Sequence, residues 1–257
     1  MSAGLPAGGV LVVIPALDEA QDVGDVVRRV PSAVCGLPAA VLVVDDGSAD
    51  ETAARAAEAG ALVERHEASR GGGAALRTGY RVALERGAAI VVTMDADGQH
   101  LPEELERVVG PVAARDVDLA VGSRVLGSTE GGALARQMGI AVFNRLVSVV
   151  TGRRVTDCSN SYRAIRAEAL AELDLRQDQF HAAEFLIEAL TRGVRTVEVP
   201  VTVARRQHGT TKKPRTLRYG LGFTRAIVSA WTRSVRRRAA RGPRTGRTQP
   251  AGERSAA

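Results

Sequence analysis

The feature that most constrains the fold of this chain is an apolar run at residues 91–94 that leads directly into Asp95-Ala96-Asp97. Four apolar or β-branched residues without polar alternation are typical of a parallel strand that is buried on both faces. Open α/β sheets bind their ligands at the carboxyl ends of such strands. Two carboxylates one residue apart suit Mg²⁺ or Mn²⁺ held together with substrate phosphates. Taken alone, the motif fits an ordinary acidic turn equally well.

The first half of the chain alternates strand-like and helix-like segments, which predicts parallel strands joined by right-handed crossovers. Helix-like segments dominate after residue 131, with one further strand near residues 195–199. We therefore predict an α/β fold with a Rossmann-like, mostly parallel open sheet flanked by helices. The predicted strands are residues 10–14, 40–44, 61–64, 88–93 and 119–122, and the predicted helices are residues 19–30, 51–59, 73–86 and 102–115.

Three predicted strand ends carry polar side chains that could converge on one ligand. They are residues 15–19 (P-A-L-D-E), residues 45–50 (D-D-G-S-A-D) and residues 95–99 (D-A-D-G-Q). Because the carboxyl ends of parallel strands lie along one edge of a sheet, we expect a nucleotide pocket beside a metal. A glycine-rich segment at residues 70–79, which includes Arg77, begins a predicted helix. Glycines there permit close approach of an anion to the backbone.

These motifs resemble those of the family 2 glycosyltransferases, which have the GT-A fold, and they are most similar to the dolichol- or polyprenyl-phosphate mannose synthases among them. The similarity extends from about residue 10 to residue 212 and includes V-V-D-D-G-S-A-D-E-T and M-D-A-D-G-Q-H. The resemblance implies transfer of a sugar from a nucleoside diphosphate sugar, with inversion at the anomeric carbon. Which base and which sugar are used stays open, since GDP-mannose, UDP-glucose and UDP-N-acetylhexosamines all fit these motifs.

The resemblance also implies roles for individual residues. Pro15, Ala16 and Glu19 would line the base and ribose pocket, while Asp45 would contact the base and Asp46 the ribose side. A divalent cation is expected because it neutralises the charge that develops on the leaving diphosphate. The predicted nucleotide-sugar site is Pro15, Ala16, Glu19, Asp45, Asp46, Arg77, Asp95, Ala96, Asp97, Arg206 and Lys212, with Mg²⁺ or Mn²⁺ on Asp95, Asp97 and Gln99.

A late motif, R-Q-H-G-T-T-K at residues 206–212, resembles the family pattern R-x-x-G-x-S-K with Thr211 in place of Ser. The chain has 35 Lys and Arg residues, and its only lysines are Lys212 and Lys213. Lysine and arginine are not equivalent at phosphate sites, because the ammonium is a compact charge on a flexible stem. We therefore predict that Lys212 contacts phosphate, and chance placement of the two lysines is the alternative.

Three residues are candidates for the acceptor side and for catalysis. Arg124 lies in a G-S-R segment that resembles the family motif, and it would contact the acceptor or the diphosphate unless it forms only a surface ion pair. Asp157 and Glu184 are candidate general bases. A hydroxyl acceptor would need such a base, whereas a lipid phosphate is already an anion. Together with Asp95 and Asp97, these residues complete the predicted catalytic set.

The charge of the chain is divided unevenly. Residues 212–257 carry a net charge of +12, while the remainder carries −6. Within the basic end, apolar residues recur at helical spacing and include Trp231, which predicts an amphipathic basic helix that contacts an anionic membrane surface. We predict a flexible N-terminus at residues 1–8, a catalytic domain at 9–214, this helix at 215–238 and a disordered basic tail at 239–257.

No apolar run is long enough to span a membrane, and no signal-peptide pattern precedes the domain, so we expect a cytoplasmic protein on the inner face of the membrane. The donor pocket is expected to be complete by Lys212, without the terminal helix. Three alternatives stay open: a soluble hydroxyl acceptor, a nucleotidyltransferase and a nucleic-acid-binding protein. A nucleotidyltransferase would normally have a glycine-rich loop after the first strand, which residues 15–19 lack. The scarcity of aromatic residues and the acidic body argue against a nucleic-acid partner.

Overall fold

The computed structural model describes residues 7–130, 134–206, 208 and 217–241, and it has the predicted α/β architecture. Side chains are described within these ranges except at residues 134–138, 217–221 and 238–241. The strands are β1 (Val10–Ala16), β2 (Ala33–Val34), β3 (Leu37–Asp45), β4 (Leu62–Arg65), β5 (Ile90–Thr93), β6 (Leu119–Thr129), β7 (Arg163–Arg166) and β8 (Thr196–Val203). The helices are α1 (Val23–Arg29), α2 (Thr52–Glu58), α3 (Gly72–Glu85), α4 (Leu105–Ala113), α5 (Leu134–Thr151), α6 (Ala167–Ala171), α7 (His181–Arg192) and α8 (Leu217–Arg241).

The main sheet has the strand order β4-β3-β1-β5-β7-β6-β8, and β2 pairs with the beginning of β3. All neighbours in the main sheet are parallel except that β7 runs antiparallel between β5 and β6. The prediction of a mostly parallel sheet is therefore confirmed. The strand β7 was not predicted, because Ala164 and Ile165 are its only apolar residues and arginines flank them.

Helices cover both faces of the sheet, which explains why the strands are apolar without alternation. Along β1, Leu11 and Val13 face a core cluster that includes residues of α3, α7 and α8. Val10, Val12 and Ile14 face the opposite cluster, which includes residues of α1 and α4. Successive side chains of a strand point to opposite faces, so a strand with two covered faces needs apolar residues at every position.

Several predicted boundaries differ from the structure. The first helix begins at Val23 rather than residue 19, because the backbone N–H of Glu19 donates to Thr52 Oγ1 and the segment before α1 is bonded to the loop after β3. The predicted helix at 102–115 is a 3₁₀ turn at Pro102–Glu104 followed by α4. The strand predicted at 119–122 continues to Thr129, and it pairs with β8 at residues 119–123 and again at 128–129, with a break in register between them.

The terminal helix α8 includes residues 239–241, which were predicted to begin the disordered tail, and residues 242–257 lie outside the described residues. At the other end, the N–H of Gly8 donates to the carbonyl of Gly87 at 2.9 Å, so the domain includes this part of the predicted flexible segment. Phe223, Ile227 and Ala230 of α8 are buried in the core. Across the part of the chain that the structure describes, no helix combines the length and apolarity needed to cross a membrane.

Candidate active site

The loops that follow β1 and β3 are joined by hydrogen bonds at the carboxyl edge of the sheet. The N–H of Asp46 donates to the carbonyl of Ala16 at 2.8 Å, and Pro15 lies opposite Val44 in the parallel register. The N–H of Asp18 donates to Ser48 Oγ at 2.9 Å. The predicted convergence of residues 15–19 with residues 45–50 is therefore confirmed.

The segment that follows β8 contacts the strand end at residues 15–19 and the strand end at residues 95–99. The guanidinium of Arg206 hydrogen-bonds the carboxylate of Glu19 and lies 3.5 Å from Oδ2 of Asp97. Gln99 Nε2 donates to the carbonyl of Ala204 at 3.1 Å, and Ala204 donates back to the Gln99 carbonyl at 2.9 Å. Residues 187 positions apart in sequence thus meet at one edge, as the late motif predicts for Arg206.

Asp95 and Asp97 present two carboxylates at the end of β5. Asp95 Oδ1 accepts a hydrogen bond from Ser161 Oγ at 2.7 Å, and the Asp95 N–H donates to His100 Nδ1 at 3.0 Å. Burial, together with the negative charge of Asp95, raises the pKa of Asp97 above its ordinary value. A divalent cation would offset this repulsion, and carboxylate oxygens are the ligands that Mg²⁺ and Mn²⁺ prefer.

Among the described residues, no group of three or more His, Cys, Asp or Glu side chains could hold a metal. The residues that would hold a cation at this edge are Asp95 and Asp97. Phosphate oxygens and water would complete the coordination. The buried Ala96 lies between the two aspartates, and Gln99 is held by its contact with residue 204. The donor set fits a cation that is bound mainly together with its diphosphate.

Asp45 is buried at the end of β3, where Ser48 N–H donates to its Oδ1 at 2.9 Å and Arg65 Nε lies 3.2 Å from its Oδ2. A contact from Asp45 to the base is not tested by these distances and stays a prediction. Its hydrogen bond to Ser48 shapes the turn that also receives the backbone of Asp18.

The carboxylate of Asp46 is held by four groups of the protein, and its predicted contact with the ribose side stays a prediction. Oδ1 accepts from His66 Nδ1 at 2.7 Å and from Arg70 N–H at 2.9 Å. Oδ2 accepts from Gly71 N–H at 2.7 Å and Ser69 Oγ at 2.9 Å. Burial favours the neutral acid, but these hydrogen bonds outweigh it and lower the pKa of Asp46. Asp46 therefore anchors the segment that leads into α3.

Gly71 and Gly73 are required for close contact with residues 174–178, the loop between α6 and α7. The predicted approach of an anion to this glycine segment stays a prediction. Gly73 N–H donates to the carbonyl of Asp178 at 2.7 Å, and a Cβ on Gly73 would lie 2.0 Å from the carbonyl oxygen of Gln177. Arg77, predicted to bind the nucleotide sugar, donates to this same Gln177 carbonyl at 2.9 Å and pairs with the carboxylate of Asp178 at 2.5 Å. In this structure Arg77 joins α3 to the loop at residues 174–178, and its predicted contact with the nucleotide sugar stays a prediction.

Asp157, predicted as a general base, is instead the buried partner of Arg124. Its Oδ2 accepts from Arg124 Nε at 2.6 Å and from Arg124 N–H at 3.1 Å, and its Oδ1 accepts from Nη2 at 3.2 Å. A base must reach the proton that it removes, and the Asp157 side chain is fully shielded from solvent. These contacts do not favour a base at Asp157, whose predicted role stays a prediction, while Arg124 is fixed at the end of the regular part of β6.

Glu184, the second predicted base, is also fully buried, between α7 and α8. One oxygen accepts from the N–H groups of Arg176 at 2.9 Å and Gln177 at 2.8 Å, and the other pairs with Arg233. In this structure the Glu184 carboxylate is held by these contacts and shielded from solvent, and its predicted catalytic role stays a prediction. Lys212 lies outside the described residues, and its predicted phosphate contact stays a prediction.

Sequence reasoning missed Ser161 and His66. Ser161 meets Asp95 because the antiparallel β7 begins beside the end of β5, with Thr93 opposite Arg163. A prediction of β7 beside β5 would have placed Ser161 near Asp95. His66 bridges Asp46 and Thr78, and its position directly after β4 gave no distinctive pattern.

Residues 11–174 match the sequence profile of the family described as Glycosyl transferase family 2, which covers more than half of the chain. The chain therefore belongs to this family of glycosyltransferases, as its motifs predicted. It is similar to the polyprenol monophosphomannose synthase of Mycolicibacterium smegmatis, with 36% identity over 80% of this chain and 82% of that protein. It is also similar to the undecaprenyl-phosphate mannosyltransferase of Micrococcus luteus, with 35% identity over 79% of this chain and 86% of that protein.

The fold is similar to that of glucosyl-3-phosphoglycerate synthase from Mycobacterium tuberculosis. That structure superposes with a TM-score of 0.68 over 91% of this chain and 82% of that chain, at 23% sequence identity. At this level of identity the similarity concerns the fold, and it confirms the predicted GT-A architecture.

Proposed function

We propose that this protein transfers a sugar, with inversion, from a nucleoside diphosphate sugar to a polyprenyl-phosphate acceptor at a membrane surface. The observation that carries the proposal is that Arg206 joins Glu19, after β1, to Asp97, after β5, at the carboxyl edge of the sheet. This edge is where open α/β sheets bind ligands. The two mannosyl-transferring relatives, whose names specify polyprenol and undecaprenyl phosphate, support the acceptor class.

The donor would bind with its diphosphate beside Asp95 and Asp97, and Mg²⁺ or Mn²⁺ would neutralise the charge on the leaving phosphate. The residues of this chain supply the orientation. Glu19 and Asp97 hold the Arg206 guanidinium at the cation site, and the hydrogen bond from Ser161 fixes Asp95. Arg206 would compensate the remaining negative charge of the diphosphate, because guanidinium groups pair well with phosphate oxygens.

The buried positions of Asp157 and Glu184 favour a phosphate acceptor over a hydroxyl acceptor. Neither predicted base is accessible, and a phosphate monoester needs no base because it is already negatively charged at neutral pH. Arg124 is held by Asp157 directly before Val125 and Leu126, which are 59% and 49% exposed. A fixed cation beside exposed apolar side chains fits a phosphate that carries an apolar chain.

Two helices present further apolar side chains to solvent and support membrane contact. On α8, Val228, Trp231 and Val235 recur at three- and four-residue spacing, so they share one exposed face. On α5, Val142 and Val149 are seven residues apart and are also exposed. An apolar face on a helix rich in arginine is typical of helices that lie in a membrane interface. The site would then operate on the inner face of the membrane, in the cytoplasm.

The proposal is tested by incubating the full chain with GDP-mannose or UDP-glucose and with short-chain polyprenyl phosphate, in Mn²⁺ or in EDTA. We expect a glycosyl-phosphate lipid only with the metal, and NMR of the product reports the anomeric configuration. The matched control acceptor is the corresponding polyprenol, which lacks the phosphate. Transfer to the polyprenol at an equal rate, or full activity in EDTA, would contradict the proposal.

The membrane contact is tested by sedimentation with anionic vesicles at low and high salt. Each basic residue near an anionic leaflet contributes about 1 kcal/mol and is screened within a Debye length, so we expect binding that salt weakens. The fluorescence of Trp231 should shift to the blue on binding. The double variant Val228→Ser, Val235→Ser should bind less, while Leu84→Ser, an exposed residue on α3, serves as the control. Equal sedimentation of both variants would contradict membrane contact through α8.

A further inference from the structure

Two buried glutamates on α7 pair with two arginines on α8. Glu184 and Glu188 lie one helical turn apart, and both side chains are fully shielded from solvent. Glu184 pairs with Arg233, and Glu188 pairs with Arg237, so that each contact joins α7 to α8. A buried carboxylate needs such a partner because its charge is otherwise unfavourable away from water.

The two glutamates differ in what else they hold. Besides Arg237, the side chain of Glu188 pairs with Arg192, on the same helix. Glu184 instead accepts hydrogen bonds from the backbone N–H groups of Arg176 and Gln177 with its second oxygen. Glu184 therefore links α8 directly to the backbone of the loop at residues 174–178. Glu188 reaches this loop only through its partner Arg237, whose Nη1 lies 3.5 Å from Asp174 Oδ2.

The loop at residues 174–178 in turn supports the glycine segment at residues 71–73. The Asp178 carbonyl accepts from Gly73 N–H at 2.7 Å, and there is no room for a Cβ between Gly73 and the Gln177 carbonyl. From the opposite side, Asp46 at the end of β3 accepts from Gly71 N–H at 2.7 Å. The start of α3 is thus held between the candidate donor site and a loop that Glu184 fixes.

We propose that Glu184 is a positioning residue for donor binding, and that Arg233 of α8 keeps it in place. The position of α8 would determine the position of the loop at residues 174–178, and this loop would determine the position of residues 71–73. These residues border the candidate donor pocket. The inference rests on the proposed function for its link to the donor. It also revises the expectation that the donor pocket is complete by Lys212, because α8 lies beyond that residue.

The test compares Glu184→Gln with Glu188→Gln in the full chain. Both substitutions remove a buried charge that pairs with an α8 arginine, so both should lower the melting temperature. Amide hydrogen exchange without donor is measured at residues 71–73 and 176–178. We expect exchange there to accelerate by at least about tenfold in Glu184→Gln only, because opening of a local segment follows its own stability. If Glu184→Gln does not fold, Arg233→Gln replaces it, with a smaller change in the same direction.

Donor affinity is then measured by calorimetry with whichever of GDP-mannose, UDP-glucose and UDP-N-acetylglucosamine the wild type binds. We expect Glu184→Gln to weaken binding by roughly tenfold and Glu188→Gln to leave it within about twofold. Equal exchange at residues 71–73 in the two variants would overturn the positioning role. Faster exchange with unchanged affinity would overturn the link to the donor. If the wild type binds none of the three donors, the donor class of the proposed function is contradicted, while the exchange comparison still decides the positioning role of Glu184.

Discussion

The substitution Asp46→Asn tests whether this residue anchors the segment before α3. The asparagine amide is best accommodated with its NH₂ group toward His66, because the imidazole can change tautomer and accept a hydrogen bond from this group. The carbonyl oxygen then keeps the hydrogen bonds from Ser69, Arg70 and Gly71, but without the negative charge. Hydrogen bonds to charged groups contribute about 1.5–3 kcal/mol and neutral ones about 0.5–1.5, so three weakened bonds cost about 3 kcal/mol.

This loss is a large part of the about 5–15 kcal/mol by which domains are stable, so urea unfolding followed by circular dichroism can measure it. The matched control is Asp118→Asn. The pKa of Asp118 is also lowered, first by its hydrogen bond to Arg195, but that arginine is exposed. Exposed pairs contribute about 0–1 kcal/mol, so the control should lose less than about 1 kcal/mol. Equal losses in the two variants would refute the anchoring role of Asp46.

The lowered pKa of Asp46 adds a dependence on pH with a defined sign. A carboxyl whose folded pKa lies below its unfolded value stabilises the protein above the unfolded pKa, and this contribution is lost as the pH falls through the folded pKa. The wild type should therefore lose stability below about pH 4, the ordinary range of aspartate. Asp46→Asn should lose less over this interval, and parallel acid profiles would contradict the assignment.

Three further predictions concern the site and its support. Asp97→Asn should lower the rate of sugar transfer by orders of magnitude. The melting temperature without metal should stay equal or rise, because burial and a like charge raise the pKa of Asp97 and thus disfavour its charged form. A large fall in melting temperature would contradict this. Lys212→Ala should slow transfer by about 1–3 kcal/mol in kcat/KM, and Lys213→Ala should have a smaller effect. Gly73→Ala should lower the melting temperature more than Gly72→Ala, whose nearest neighbour is at 3.7 Å rather than 2.0 Å.

Much of the fold could be predicted because its signals are local. A strand with two covered faces must be apolar at every position, so the runs that form β1, β3 and β5 are visible in the sequence. The polar residues that end these strands are equally visible, and the parallel order brings them to one edge. The positions of Asp45, Asp95 and Asp97 follow from this, without knowledge of any other contact.

The sequence could not predict which carboxylates are available to a substrate. Asp157 and Glu184 have the residue type of a base, but their partners lie 33 and 49 positions away in the chain. Whether a carboxylate is a base or a buried ion-pair partner depends on its solvent exposure and on the cation that packs against it. Neither property is encoded by the residues next to it.

The sequence by itself therefore determined the family, the parallel sheet and the strand ends that carry Asp95 and Asp97. Tertiary structure alone decided that Asp46 anchors a glycine segment, that Arg124 is oriented by Asp157, and that α8 is joined to the body by buried ion pairs. The physical reason is the distance along the chain between the residues that interact. Apolar periodicity acts over a few neighbouring residues, whereas hydrogen bonds and ion pairs at the site join segments that meet only after the chain has folded.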